Sequence, residues 1–304
     1  VVVENWIASL NEELRNDPMI TSLQADAVSM QQDWDRLGGL LETGAWGVIK
    51  KDTVRLALST RIAATRENGS LQNQLWDEAL SSAGKSLTEL RILHRLASIW
   101  QEEDFIEKTL WVITRGFNGQ TWAHQSLFNV YRRNLDTANL RALMNVLRER
   151  DTSVPRYKYD WAILSLLTQR SSGWSPAKTA MAELYELDPN NTDYVAGYAF
   201  ALAQSEKVDE ALELIDAMPP ADRDIAAIAP FLAYVYGVGR RAEDYERVAL
   251  LEAQLQQQLP EEKFLFQLGK QMLNRPLPKK KADGAMKAKG TQGVTSDDSV
   301  AGEK

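Results

Sequence analysis

One register dominates the sequence. When Tyr159 to Asn191 is laid over Asp193 to Ile225, residues of like character coincide at a spacing of 34. Trp161 falls over Val195, Leu164 over Tyr198, Ser165 over Ala199, Ala177 over Ala211 and Met181 over Ile215. A unit this short cannot bury its own apolar face, so consecutive units must stack against one another. Within the units, apolar residues recur at steps of three and four: Leu140, Leu143, Met144 and Leu147, then Val208, Leu212 and Ile215, with Leu202 before them. That spacing is one face of an α-helix. No stretch alternates apolar and polar between glycine turns, so no sheet is expected. The predicted class is all-α, an α-solenoid of stacked antiparallel helix hairpins. With 44% hydrophobic and 25% charged residues, the chain carries enough apolar material for such a core.

The matched positions resemble the tetratricopeptide repeat, whose pattern sets large residues at 4, 17 and 24 and small ones at 8 and 20. The first copy supplies Trp161, Leu164, Ser165, Trp174, Ala177, Met181 and Pro189, closing on Glu186-Leu187-Asp188-Pro189-Asn190-Asn191. The second supplies Ala199, Leu202, Val208-Asp209-Glu210-Ala211, Ile215 and Met218, with Arg223 at the place of the usual proline. Small residues let the two helices of a hairpin approach, while the large ones fill the space before the next hairpin. Ser175-Pro176 provides a capping hydroxyl followed by proline at the first helical position. The resemblance implies a right-handed superhelix with its clearest repeats at 158–191, 192–225 and 226–259, and a closing helix at about 260–273.

Weaker copies are expected on both sides. Leu232-Ala233 with Tyr236, and Leu96-Ala97 with Trp100, repeat the phrase of the first helix. Gln32-Asp33-Trp34-Asp35-Arg36-Leu37 reads as the turn that enters a second helix. Trp122 and Ala138 stand 16 apart, as positions 4 and 20 should; over 52–86 two signals compete, since Trp76-Asp77-Glu78-Ala79 carries the turn phrase but Asn68-Gly69 sets a turn further upstream. About eight hairpins are expected. Trp6 to Leu14 reads as the second helix of an incomplete hairpin, which suggests a piece of a longer protein. At the other end, Phe264, Leu265, Leu268 and Met272 are placed on one face of the closing helix. Residues 275–304 are polar, lack aromatics and begin with a basic run at Lys279-Lys280-Lys281, so a disordered tail is expected.

Composition removes most chemistry. The absence of cysteine excludes disulfides, thiolate zinc sites, iron–sulfur clusters and cysteine nucleophiles. Only two histidines, His94 and His124, are present, with no ligand-spaced neighbour beside either. A net charge of −7 argues against a nucleic-acid surface. No run of apolar residues reaches the length of a membrane span. Gly237-Val238-Gly239 lacks the third glycine of a phosphate loop. The expectation is a chain that is not an enzyme, with no cofactor, no metal and no small-molecule substrate.

What the resemblance implies instead is binding of a peptide or protein on the concave face, through positions 2, 5, 9, 12 and 13 of each first helix. The expected contact residues are Tyr159, Leu166, Gln169 and Arg170 in one repeat and Asp193, Phe200 and Gln204 in the next. The lysine and asparagine that family members use to clamp a carboxylate tail are replaced by Ala162 and Leu166, then Ala196 and Phe200. A non-catalytic interaction scaffold is therefore the leading reading. The alternative is the repeat region of a larger membrane-anchored assembly or export protein, or of an enzyme whose catalytic domain lies elsewhere. No compartment is assigned; cytoplasmic is the leading expectation, with membrane-anchored or periplasmic as the alternatives.

Overall fold

The computed structural model describes residues 2–15, 17–43, 52–168, 175–256 and 258–276. Gln169, Arg170 and Trp174, and the expected tail from residue 277 on, lie outside them. The chain divides into two units, Val1–Leu273 and Asn274–Lys304, and all the hairpins lie in the first. Among the described residues there are helices and no strand: the all-α helical repeat solenoid is the observed architecture.

Two short helices come first, α1 (Val2–Ser9) and α2 (Glu12–Arg15), broken between Ser9 and Glu12 where one continuous helix was expected. Among the described residues seven hairpins follow: α3 (Pro18–Met30) with α4 (Trp34–Thr43), α5 (Asp52–Thr65) with α6 (Gly69–Ala83), and α7 (Leu87–Trp100) with α8 (Glu103–Gly116). Then come α9 (Thr121–Arg133) with α10 (Thr137–Arg150), and α11 (Pro155–Thr168) with α12 (Ser175–Leu187). The last pairs are α13 (Thr192–Ala203) with α14 (Val208–Ala217), and α15 (Ala229–Val238) with α16 (Ala242–Ala249). A 3₁₀ stretch, Leu250–Gln254, then leads through 255–259 into α17 (Pro260–Asn274). From α3 to α16 each helix packs mainly on its neighbours in the chain, as a nearest-neighbour array requires.

Six of the seven hairpins turn by one device. A residue just past the first helix takes a left-handed conformation: Gln32, Glu67, Gln101, Leu135, Glu206 and Arg240, with φ between 55° and 65°. The following amide then donates to the carbonyl five residues back: Asp33 to Val28, Asn68 to Ala63, Glu102 to Ala97, Asp136 to Tyr131, Lys207 to Leu202 and Arg241 to Tyr236. This satisfies the carbonyls that a helix end leaves open. The accepting residues lie 34 or 35 apart, save one double interval across the hairpin whose turn is outside the described residues. Side-chain caps open several helices: Asn68, Ser86, Asp136 and Asn191 accept the amides of Leu71, Glu89, Asn139 and Tyr194.

These turns correct two expected registers and decide between the two signals over 52–86. With Leu135 as the left-handed residue, position 20 of that repeat is Leu140, which is buried, and Ala138 is exposed. The spacing of Trp122 and Ala138 was a coincidence of helical periodicity. Trp76 and Ala79 are fully buried in mid-α6, and the turn lies upstream at Glu67, where Asn68 caps the helix. In α7 the helix ends at Trp100 itself, so Leu96-Ala97 stands three residues later in its repeat than the phrase implied.

The core is continuous in kind but forms three clusters. The largest is built by α11 to α17, the second centres on α6 to α10, and a small one gathers Ala25, Val28, Leu37 and Leu41 with Leu58 and Ile62. Trp161 packs against the first two, and Trp100 against the second and third. Ala177 and Ala211 are fully buried, as positions of close helix approach require. In α17 the buried residues are Leu265, Phe266 and Gly269, while Phe264 is 53% exposed. The expected face was one position off because Gly269 forms the contact: a Cβ on Gly237 or on Gly269 would overlap the backbone of the other helix. Only glycine lets α15 and α17 cross this closely.

Candidate functional site

Four first helices, α9, α11, α13 and α15, contribute to a cleft of about 460 Å³. Its apolar lining comes from Phe128, Leu140, Ile163, Leu164 and Phe231. Its charged lining is Arg132, Arg156, Asp160, Asp193 and Glu262. Tyr159 and Asp193, each at the second position of its repeat, are the two expected contact residues that the fold brings together here.

Arg156 organises the charges. Its Nε lies 2.9 Å from the Asp160 carboxylate one turn along α11, and its Nη1 lies 2.8 Å from Asp193 at the start of α13. The guanidinium also stands 5.0 Å from the centre of the Tyr159 ring. Burial works against the Arg156 charge, but the Asp160 and Asp193 carboxylates outweigh it and raise its pKa. Asp160 shows the opposite balance: burial raises its pKa despite the neighbouring guanidinium. Burial, with Asp193 nearby, also keeps the Tyr159 hydroxyl protonated far into the alkaline range.

The other expected contacts sit differently. Leu166 and Phe200 are core residues, 1% and 0% exposed, with the Phe200 ring 5.3 Å from those of Phe231 and Tyr234. Ala162 and Ala196 are fully buried beside them. Gln204 turns inward, its Nε2 donating to the Leu166 carbonyl at 3.3 Å, while its Oε1 is buried with no partner. Gln169 and Arg170 fall outside the described residues.

The remaining lining comes from a segment the sequence did not flag. Leu255, Gln256, Gln258 and Leu259 line the cleft from the connection between α16 and α17, and Glu262 from the first turn of α17. Locally this segment is legible: Pro260 opens α17, and Glu262 accepts the Leu259 amide at 2.8 Å, half of a capping box. Proline also keeps Leu259 out of the helical conformation, so the chain arrives extended. Where it lands could not be read. Glu261 accepts from the Thr137 hydroxyl at 2.7 Å, 124 residues away. Glu262 lies 3.9 Å from Arg132. Leu259 is 1% exposed and joins the core that includes Leu140, Leu143 and Leu164.

Away from the cleft, His94 and His124 meet the rings of Trp122 and Tyr157 edge-on, at 5.2 Å and 6.1 Å. Burial lowers the pKa of both. Among the described residues no three His, Asp or Glu side chains gather as a metal would need. No described helix is long and apolar enough to cross a membrane.

Among known families, the tetratricopeptide repeat family model matches residues 176–233, from α12 into α15. No curated protein matches the chain.

Proposed function

We propose that this chain, a tetratricopeptide-type helical repeat protein by its fold and by its match over 176–233, works by holding a peptide or protein segment on the face of its first helices. Repeats of this kind serve protein–protein interaction and are typically non-catalytic. The observation that carries the site assignment is the cleft: an apolar floor from Phe128, Ile163 and Phe231 under a rim of opposite charges. Such a lining suits an apolar anchor flanked by polar or charged residues. The Arg156 ion pairs hold Asp160 and Asp193 in fixed positions, so the rim is pre-organised for recognition.

Peptides selected from a random display library against the full chain provide the test. Binding should fall by at least about tenfold in Asp193→Lys, as for loss of a central contact. Glu213→Lys, on the exposed side of α14, should bind as the wild type does. Equal binding to the wild type and to both variants would place the peptides elsewhere and remove the cleft from consideration.

A further inference from the structure

We infer that residues 258–262, Gln-Leu-Pro-Glu-Glu, are a built-in ligand of this cleft, and that the external partner is a segment of the same chemistry: a leucine followed within three residues by carboxylates. This rests on the reading of the cleft as the binding site and goes further by naming the class of ligand.

The first reason is topological. In a stacked array, contacts run between neighbouring hairpins. The Glu261–Thr137 hydrogen bond skips the α11/α12, α13/α14 and α15/α16 pairs to reach the start of α10. Nothing in repeat stacking produces that contact. The segment crosses the face of the first helices as a bound peptide would.

The second reason is chemical. Three residues of the segment, Leu259, Glu261 and Glu262, each meet a receptor group suited to them. Leu259 is the anchor, buried among the leucines of the α9–α11 core. Glu261 takes the hydroxyl of Thr137, itself only 4% exposed. Glu262 faces Arg132. With the segment lifted away, Thr137 and Arg132 lose their acidic partners, while Arg156 keeps Asp160 and Asp193. The vacated end therefore presents an apolar socket beside a hydroxyl donor and a cation. That is a receptor for leucine and carboxylate.

The third reason is that the fit is incomplete. Gln258 is 5% exposed, yet its Nε2 has no partner. Burial pushes the Glu262 carboxyl up, against the Leu259 amide and Arg132. A permanent core element is under pressure to satisfy such groups, whereas a displaceable one tolerates them.

A labelled peptide with the sequence of residues 254–265 is the probe. Held in place by the chain, the native segment should weaken binding of the peptide in trans, since only the open fraction is competent. The full chain carrying Leu259→Ser should therefore bind the peptide at least about tenfold more tightly than wild type. A peptide with serine for leucine and amides for both carboxylates should fail on either protein. Should Leu259→Ser lose its helical circular dichroism, the wild type answers alone: saturating peptide should speed amide hydrogen exchange in its own residues 255–262. No binding to a folded Leu259→Ser chain, or unchanged exchange at saturation, would overturn the inference. Display-selected peptides separate the two readings. If they need Asp193 yet bind wild type and Leu259→Ser equally, the cleft stands and the built-in ligand falls. If they ignore Asp193, the cleft itself falls.

Discussion

At Asp160, burial and an ion pair act on one carboxylate in opposite directions, and burial prevails: its pKa is raised in the folded chain. The folded state then holds its proton over a range where the unfolded chain has released it. Linkage makes stability rise as pH falls through the window above the ordinary aspartate value, and fall as pH climbs back through it. Asp160→Asn removes that dependence and leaves Asp193 to hold Arg156. The stability of wild type relative to Asp160→Asn should therefore decrease between about pH 4 and pH 7, read from urea midpoints at each pH; a rise over that range would mean that the ion pair prevails. A second single-residue test compares two alanines. Ala211 is fully buried where α14 meets α13, and Ala221 is exposed in the following turn. Ala211→Trp should cost about 1–3 kcal/mol or more by overpacking, and Ala221→Trp close to nothing. The small residue at position 20 was legible because its spacing from Ala177 is a whole repeat. Inward rotation of Gln204 was not, because one glutamine at a helix end carries no periodic signal.

For the elements, the shared turn is the feature with the clearest energetic consequence. A side chain in the left-handed region costs about 1–2 kcal/mol, while glycine there gives back about 0.5–1 kcal/mol in unfolded-chain entropy. Glu206, exposed at the α13/α14 turn with φ 65°, is therefore a site where glycine should stabilise, by about 0.5–1 kcal/mol. Thermal unfolding of Glu206→Gly checks this, and a lowered midpoint would show that the Glu206 side chain makes a compensating contact. The crossing of α15 and α17 predicts the opposite response. Gly269→Ala places a Cβ on the Ala233 carbonyl, which is backbone and cannot swing aside, and against the Tyr245 ring. It should cost about 1–3 kcal/mol and disturb the bond from the Tyr245 hydroxyl to the Phe266 carbonyl, which tyrosine fluorescence or amide exchange near Phe266 would report. Helices and their periods were readable from apolar spacing, since burial selects one face of a helix. The turns were misplaced in α7/α8 and α9/α10. Their left-handed residues are glutamine and leucine, so the usual glycine marker is missing.

Across the whole molecule, Leu259 ties an ending segment to a core nearly four hairpins earlier. Leu259→Ala should cost about 2–5 kcal/mol, as for a buried leucine. Because that loss falls on contacts between distant hairpins, unfolding followed by tryptophan fluorescence should also become less cooperative than in Ala211→Trp. A single sharp transition with an unchanged midpoint would show that the segment contributes nothing to the array. What the amino-acid order determined alone is the part that repeats: the all-α class, the 34-residue unit and the alanines of close approach. Each is a local or nearest-neighbour property, written several times over, and repetition makes it visible. The tertiary structure alone decided where the segment after α16 lies, and hence that Thr137, Arg132, Leu259 and Glu261 meet. That meeting depends on the rotation accumulated over several hairpins. Small differences in packing at each step add along the array, and no short stretch of sequence records the sum.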